Sequence, residues 1–191
     1  MRTGANLFCG FVFAKFSSDQ ITKHIDIEGA DVLRDALKEN NGAIILAAHM
    51  GPWEALGQLP KVMPQYGLEA PIGSLYRRLN NPLLDRWYRK YRRSAGATLF
   101  ESRHSFHPPI EFLKSGGILC LLADQRMSGG KQVRYFGRLT RSTPLPGILH
   151  LRSQAPMLAL TLVTTGRCRW RLSLRRIDDS DSISYKDRAQ H

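Results

Sequence analysis

The chain has 191 residues, 42% hydrophobic and 23% charged, which is the make-up of a folded domain with a real core and argues against a disordered chain. Its 28 Lys and Arg against 16 Asp and Glu leave a formal charge of +12. That excess favours nucleic acid, anionic headgroups or phosphorylated carriers without choosing among them. Cys9, Cys120 and Cys168 stand far apart, with no Cys-x-x-Cys or Cys/His ligand spacing, so neither a zinc site nor a disulfide framework is expected, and a reducing compartment fits.

In chain order, the first apolar stretch, residues 7–14, is too short to span a bilayer. It reads as an interfacial segment, with Lys15 and Lys23 near headgroups, or as plain core. Ala30, Val32, Leu33, Ala36 and Leu37 share one face of a helix over 30–39, which Asn40-Asn41-Gly42 stops. Residues 43–48, Ala-Ile-Ile-Leu-Ala-Ala, form the short unbroken apolar run of a buried parallel strand. His49 ends it, and Trp53 to Leu56 begin a helix with Pro52 in the first turn. A weaker strand covers 68–75, interrupted by Pro71 and Gly73. Helices follow over 82–93 and 110–114, the second ended by Gly116-Gly117. Residues 118–123 are another buried strand, with Asp124-Gln125 at its carboxyl end. Thr143 is placed to cap a helix over 144–153, and 157–164 and 169–175 are strands. The fold class expected is α/β, a mixed, mostly parallel central sheet flanked by helices, in a single domain over 1–191. Such sheets bind ligands beyond the carboxyl ends of their strands, where His49 and Asp124 both fall.

His49-Met50-Gly51-Pro52-Trp53-Glu54 carries the clearest chemistry. A carboxylate five residues after a histidine, across a strand-to-helix turn, is expected to bear on the imidazole, fix its tautomer and leave the other nitrogen free as a general base. The alternative is a histidine satisfied locally, with Glu54 on a solvated helix face. Further on, Arg86, Arg89, Lys90 and Arg93 share a helical face within a basic segment that also holds Arg77, Arg78 and Arg92. It suits phosphates or a carrier protein, or is simply solvated. His104 and His107 are three apart, but Pro108-Pro109 disfavours a helix there and no carboxylates accompany them, so no metal is expected. Arg167, Arg169, Arg171, Arg175 and Arg176 crowd the last strand, where alternation exposes several of them to headgroups or keeps an edge strand soluble.

Ile25-Asp26-Ile27-Glu28-Gly29 and residues 43–54, with Tyr76-Arg77, Asn80-Asn81-Pro82, Leu122-Ala123-Asp124-Gln125, and Tyr135-Phe136-Gly137-Arg138 with Thr143, resemble the bacterial lipid A biosynthesis (lauroyl/myristoyl) acyltransferase family. The likeness runs through most of the chain and implies a glycerolipid-acyltransferase-like fold. It implies an O-acyltransferase of the His-x4-Glu type, with His49 as base and Glu54 as its partner, needing no cofactor. The donor would be an acyl carrier protein or CoA thioester. The acceptor would be a hydroxyl of a lipid A precursor or related anionic glycolipid, reached by peripheral contact at the cytoplasmic face of the inner membrane. Relatives with similar motifs serve mannosylated phosphoinositides. Substrate-binding candidates are Tyr76, Arg77, Asp124, Gln125, Phe136 and Gly137, together with Arg92 and Arg93; Phe136-Gly137 is expected as a tight turn beside an acyl pocket. The family's N-terminal membrane anchor and C-terminal extension are expected to be missing, and Pro52 replaces its more usual Asn. Two rivals stand beside this reading. One is a truncated or inactive homologue acting as a binding partner. The other is a basic nucleic-acid module using Trp87, Tyr88 and Tyr91, for which no recognition motif is legible, so no nucleic acid is expected.

Overall fold

A computed structural model describes residues 12–39, 41–101 and 106–177. Cys9, His104 and most of the first apolar stretch lie outside them, as does the polar tail after Ile177. The elements are α1 (Ser18–Thr22), β1 (Ile25–Glu28), α2 (Ala30–Leu37), β2 (Ala43–Ala47), a 3₁₀ turn (Trp53–Gln58), α3 (Leu59–Val62), a second 3₁₀ turn (Met63–Tyr66) and β3 (Ile72–Tyr76). They continue as α4 (Pro82–Arg93), β4 (Thr98–Glu101), α5 (His107–Lys114), β5 (Ile118–Leu122), β6 (Lys131–Tyr135), β7 (Arg138–Ser142), α6 (Leu145–Ser153), β8 (Met157–Gly166) and β9 (Arg169–Arg176).

Seven strands form one sheet in the order β1-β9-β8-β2-β5-β3-β4. All neighbouring pairs are parallel except β8 with β9, so the mixed, mostly parallel α/β sheet expected from the sequence is the one observed. The unbroken apolar run of β2 follows from burial on both faces. Ala43, Ile45 and Ala47 pack with Leu33, Ala36, Leu59 and Val62 on one side. Ile44 packs on the other with Ile110, Leu113, Leu119 and Leu149 of the α5, β5 and α6 layer. β2 lies near the middle of the sheet, between β8 and β5. A residue just beyond it is therefore walled by neighbours rather than free at an edge.

Four local readings change. The segment after His49 is 3₁₀ before it is α, because Pro52, Pro60 and Pro64 remove backbone donors that a continuous α-helix would need. β9 is interior, between β1 and β8, so its arginines do not guard an edge. Trp170, Leu172 and Leu174 are buried while Arg169, Arg171 and Arg175 are exposed, and Arg171 meets Glu28 at 3.0 Å. Residues 131–142, of which the sequence marked only Phe136-Gly137 as a turn, form an antiparallel hairpin, β6–β7, as a separate two-stranded sheet. The helix cap is Pro144 rather than Thr143, whose hydroxyl nevertheless accepts the Leu145 N–H at 3.2 Å from one residue before it.

Candidate active site

The register of β2 on β5 determines what meets His49. Ala47 lies opposite Leu122, and the Ala123 N–H donates to the Ala47 carbonyl at 3.2 Å. His49 and Asp124 are each two residues farther along, so they leave the sheet side by side at its carboxyl edge. The Asp124 carboxylate grips His49 twice. One oxygen accepts the His49 backbone N–H at 2.9 Å, and the other lies 2.6 Å from ring Nδ1. With the carboxylate ionised, Nδ1 carries the hydrogen and Nε2 keeps its lone pair. Partial burial pushes the Asp124 pKa up, but the hydrogen bonds from the His49 ring and backbone outweigh it, so the carboxyl sits below its ordinary value. Trp53 covers the imidazole edge-to-face, ring centres 4.8 Å apart. The imidazole is thus oriented by a carboxylate, walled by an indole and still partly open, its side chain 25% exposed.

Glu54 does not hold that imidazole, which corrects the pairing read from the spacing. Gly51 takes φ +60°, and a Cβ there would lie 2.7 Å from the Leu162 carbonyl oxygen. The chain therefore turns where only glycine fits comfortably, and the 3₁₀ turn that follows aims Glu54 at α4 instead. Its side chain is almost wholly buried. It accepts the Tyr88 hydroxyl and the Arg92 guanidinium at 3.2 and 3.4 Å. Arg92 also donates to the Tyr88 oxygen at 2.6 Å and stacks over that ring at 4.4 Å, while the Tyr91 hydroxyl donates to the Glu54 carbonyl at 3.4 Å. Burial drives the Tyr88 and Tyr91 hydroxyls well above the ordinary phenol range, so both remain donors. Arg92 was expected to bind substrate; it is engaged here as the counter-ion of Glu54. Tyr88 and Tyr91 belong to this cluster, although the sequence offered them only as aromatics of a nucleic-acid module.

Tyr76 ends β3 buried, with the Arg89 guanidinium 5.9 Å over its ring. Arg77 and Gln125 are exposed beside the same sheet edge. Arg93 lines a cleft of about 610 Å³ with Arg78, Arg86, Arg89 and Lys90, so the helical face read from the sequence is real. Asp85 also lines it, but its carboxylate accepts the Leu79 N–H at 3.0 Å. A second recess, of about 370 Å³, lies on the hairpin and is lined by Arg126, Gln132, Leu139, Thr140 and Arg141. Neither is lined by His49 or Asp124. Phe136-Gly137 is the tight turn expected, at the tip of the β6–β7 hairpin. The Phe136 ring is 89% exposed, so it does not line a pocket of the described residues. His107 opens α5.

A family model described as bacterial lipid A biosynthesis acyltransferase matches residues 3–185. Among characterised proteins, the chain is similar to the phosphatidylinositol mannoside acyltransferase of Mycolicibacterium smegmatis, 27% identical over 143 residues, covering 72% of this chain and 45% of that protein. The phosphatidylinositol mannoside acyltransferase of Mycobacterium tuberculosis H37Rv is 27% identical over 137 residues, covering 69% of this chain and 42% of its own. The chain spans less than half the length of these relatives.

Proposed function

This chain belongs to the bacterial lipid A biosynthesis acyltransferase family, and on that premise we propose that it transfers a fatty acyl group from a thioester to a lipid hydroxyl, with His49 as general base and Asp124 as its carboxylate. One observation carries the reading: Asp124 holds both the backbone N–H and the ring Nδ1 of a partly open histidine at the carboxyl edge of a parallel sheet. Nε2 takes the acceptor hydroxyl's proton while its oxygen attacks the thioester carbonyl. The tetrahedral oxyanion is met by the Arg77 guanidinium or the Gly51 N–H. Its collapse breaks the carbon–sulfur bond, and the imidazolium protonates the departing thiolate. Ester and free thiol are the products, the base is regenerated, and no cofactor enters the scheme. General-base assistance of this kind contributes about 10²–10⁴-fold in rate.

The donor in this proposal is an acyl carrier protein, or alternatively a CoA thioester. Arg78, Arg86, Arg89, Lys90 and Arg93 of the α4 cleft would receive its phosphate and acidic surface. The acceptor is an anionic glycolipid presented at the cytoplasmic face of the inner membrane. No described helix is long and apolar enough to cross a membrane, so contact through these residues would be peripheral. A lipid A precursor comes first as acceptor, from the family. A mannosylated phosphoinositide comes second, from the names of the relatives. Glu54 acts at a distance, tying α4 to the segment that carries Trp53. The test is incubation with acyl carrier protein and CoA thioesters against both acceptor classes, reading acyl transfer by mass spectrometry. Transfer that disappears in His49→Ala and Asp124→Asn is expected; full activity in His49→Ala rejects the scheme.

A further inference from the structure

Seven residues beyond Asp124 the chain enters β6, and five cationic side chains, Arg126, Lys131, Arg134, Arg138 and Arg141, lie between Gln125 and Thr143 with no Asp or Glu among them. The last cross-strand pair of the hairpin is Tyr135 with Arg138, leaving Phe136-Gly137 as a two-residue loop. Both loop residues have positive φ, 48° and 76°, the geometry of a turn that Asn, Asp and Gly adopt most readily. A bulky aromatic at the first position is strained there. It is also nearly bare: Phe136 is 89% exposed, Tyr135 64% and Leu139 63%, and the two rings touch edge-to-face at 4.6 Å. The hairpin is thus the place where strain, bare apolar surface and concentrated positive charge coincide.

Antiparallel partners share a face, so Arg134 lies with Leu139, and Gln132 with Arg141. Arg126 and Arg141 help line the recess beside Leu139. Aromatic side chains at a tip, backed by arginines within a few residues, match the two layers of a bilayer surface: apolar at the acyl boundary and anionic at the phosphates. A soluble acidic partner would satisfy the arginines but would leave the aromatic tip without a function.

We propose that the β6–β7 hairpin is a membrane-docking wedge, seating Tyr135, Phe136 and Leu139 among the headgroups of an anionic bilayer while Arg134, Arg138 and Arg141 hold lipid phosphates. The inference deepens the reading of a membrane-lipid acceptor and rests on it, since the hairpin follows Asp124 by seven residues and would hold the dyad against the surface that presents the hydroxyl. Binding needs no acyl donor and no turnover, so it is measured apart from catalysis. The probes are vesicles of phosphatidylcholine with 30 mol% phosphatidylglycerol, and of phosphatidylcholine alone, in co-sedimentation with the full chain. Phe136→Asn suits the positive φ and keeps the hairpin folded, with thermal melting as the check. It is expected to weaken binding to the anionic vesicles about tenfold. Arg134→Gln and Arg138→Gln should each weaken it about fivefold, and His49→Ala should bind like the wild type even though it is expected to be catalytically dead. Equal binding by wild type and Phe136→Asn overturns the proposal. So does equal wild-type binding to neutral vesicles, or hairpin variants that lose affinity for free acyl carrier protein or duplex DNA while keeping the vesicles.

Discussion

Replacing Asp124 with Asn separates the two carboxylates that sequence and structure offer to His49. The Asp124 carboxylate accepts twice, from the His49 backbone N–H at 2.9 Å and from Nδ1 at 2.6 Å. An Asn side chain has only one acceptor oxygen. If that oxygen keeps the backbone N–H, the amide NH₂ faces Nδ1 and donates to it. The ring must then carry its hydrogen on Nε2, where the base needs a lone pair. The fold is retained and the base is lost. The turnover rate should fall by about 10²–10⁴-fold, the usual contribution of a positioned general base. Stability should fall by only about 1 kcal/mol, less than the usual range of about 1.5–3 kcal/mol for a hydrogen bond to a charged group, because the carboxylate is a third exposed and water screens it.

The contrasting variant is Glu54→Gln. It leaves the dyad intact and leaves Arg92 buried without its counter-charge. Its loss should appear in urea unfolding, about 3 kcal/mol, with most of kcat kept below the melting transition. Single-turnover acyl transfer and urea melts on both variants decide the matter. If Asp124→Asn keeps wild-type turnover while Glu54→Gln abolishes it with unchanged stability, the imidazole answers to Glu54 and the assignment made here is wrong.

Other consequences follow from the same geometry. The Asp124 pKa is depressed in the fold, so its stabilising contribution is present above the unfolded carboxyl pKa of about 4 and is lost as pH falls through the lower folded value. The part of the stability gap between wild type and Asp124→Asn that the carboxylate's own titration sets should therefore close only below about pH 4. A gap that persists undiminished well below that range would contradict this. Gly51→Ala places a Cβ 2.7 Å from the Leu162 carbonyl oxygen at φ +60°. It should cost about 1–3 kcal/mol of backbone strain and lower acyl transfer through displaced Trp53 and His49, measurable as a fall in both melting temperature and kcat. Tyr88→Phe removes the hydroxyl between Glu54 and Arg92 and should destabilise by about 1–3 kcal/mol in urea without changing the pH profile of transfer.

The sheet was legible because its inner strands are apolar throughout. Residues 43–48 and 118–123 could bury both faces only as parallel strands between helices. The same pair of runs held the signal for the dyad. Each is six apolar residues followed by one polar group, so aligned in parallel they set His49 beside Asp124. Spacing within one segment favoured Glu54 because it cannot see a partner 75 residues away, nor the rotation that Gly51 and a 3₁₀ turn introduce. The hairpin was hidden for the opposite reason. Lys131 to Ser142 contains only Val133 and Leu139 as aliphatic marks, too few to show a two-residue period. Its turn uses Phe-Gly where Asn-Gly would have announced it.

The His-x4-Glu segment thus does two jobs with one stretch of chain. His49 ends the strand and faces Asp124; Glu54, five residues on, anchors α4, and the Trp53 between them roofs the imidazole. Because a 3₁₀ turn advances about 120° per residue, inserting or deleting one residue between Gly51 and Glu54 would swing the carboxylate off Tyr88 and Arg92 and carry the indole with it. The spacing is therefore a constraint on placing a wall and a helix, not on bringing a base to its acid. In this geometry an aspartate at position 54 would be too short to reach Tyr88 and Arg92 from the same backbone. It should weaken the α4 anchor while leaving the Asp124–His49 contact in place.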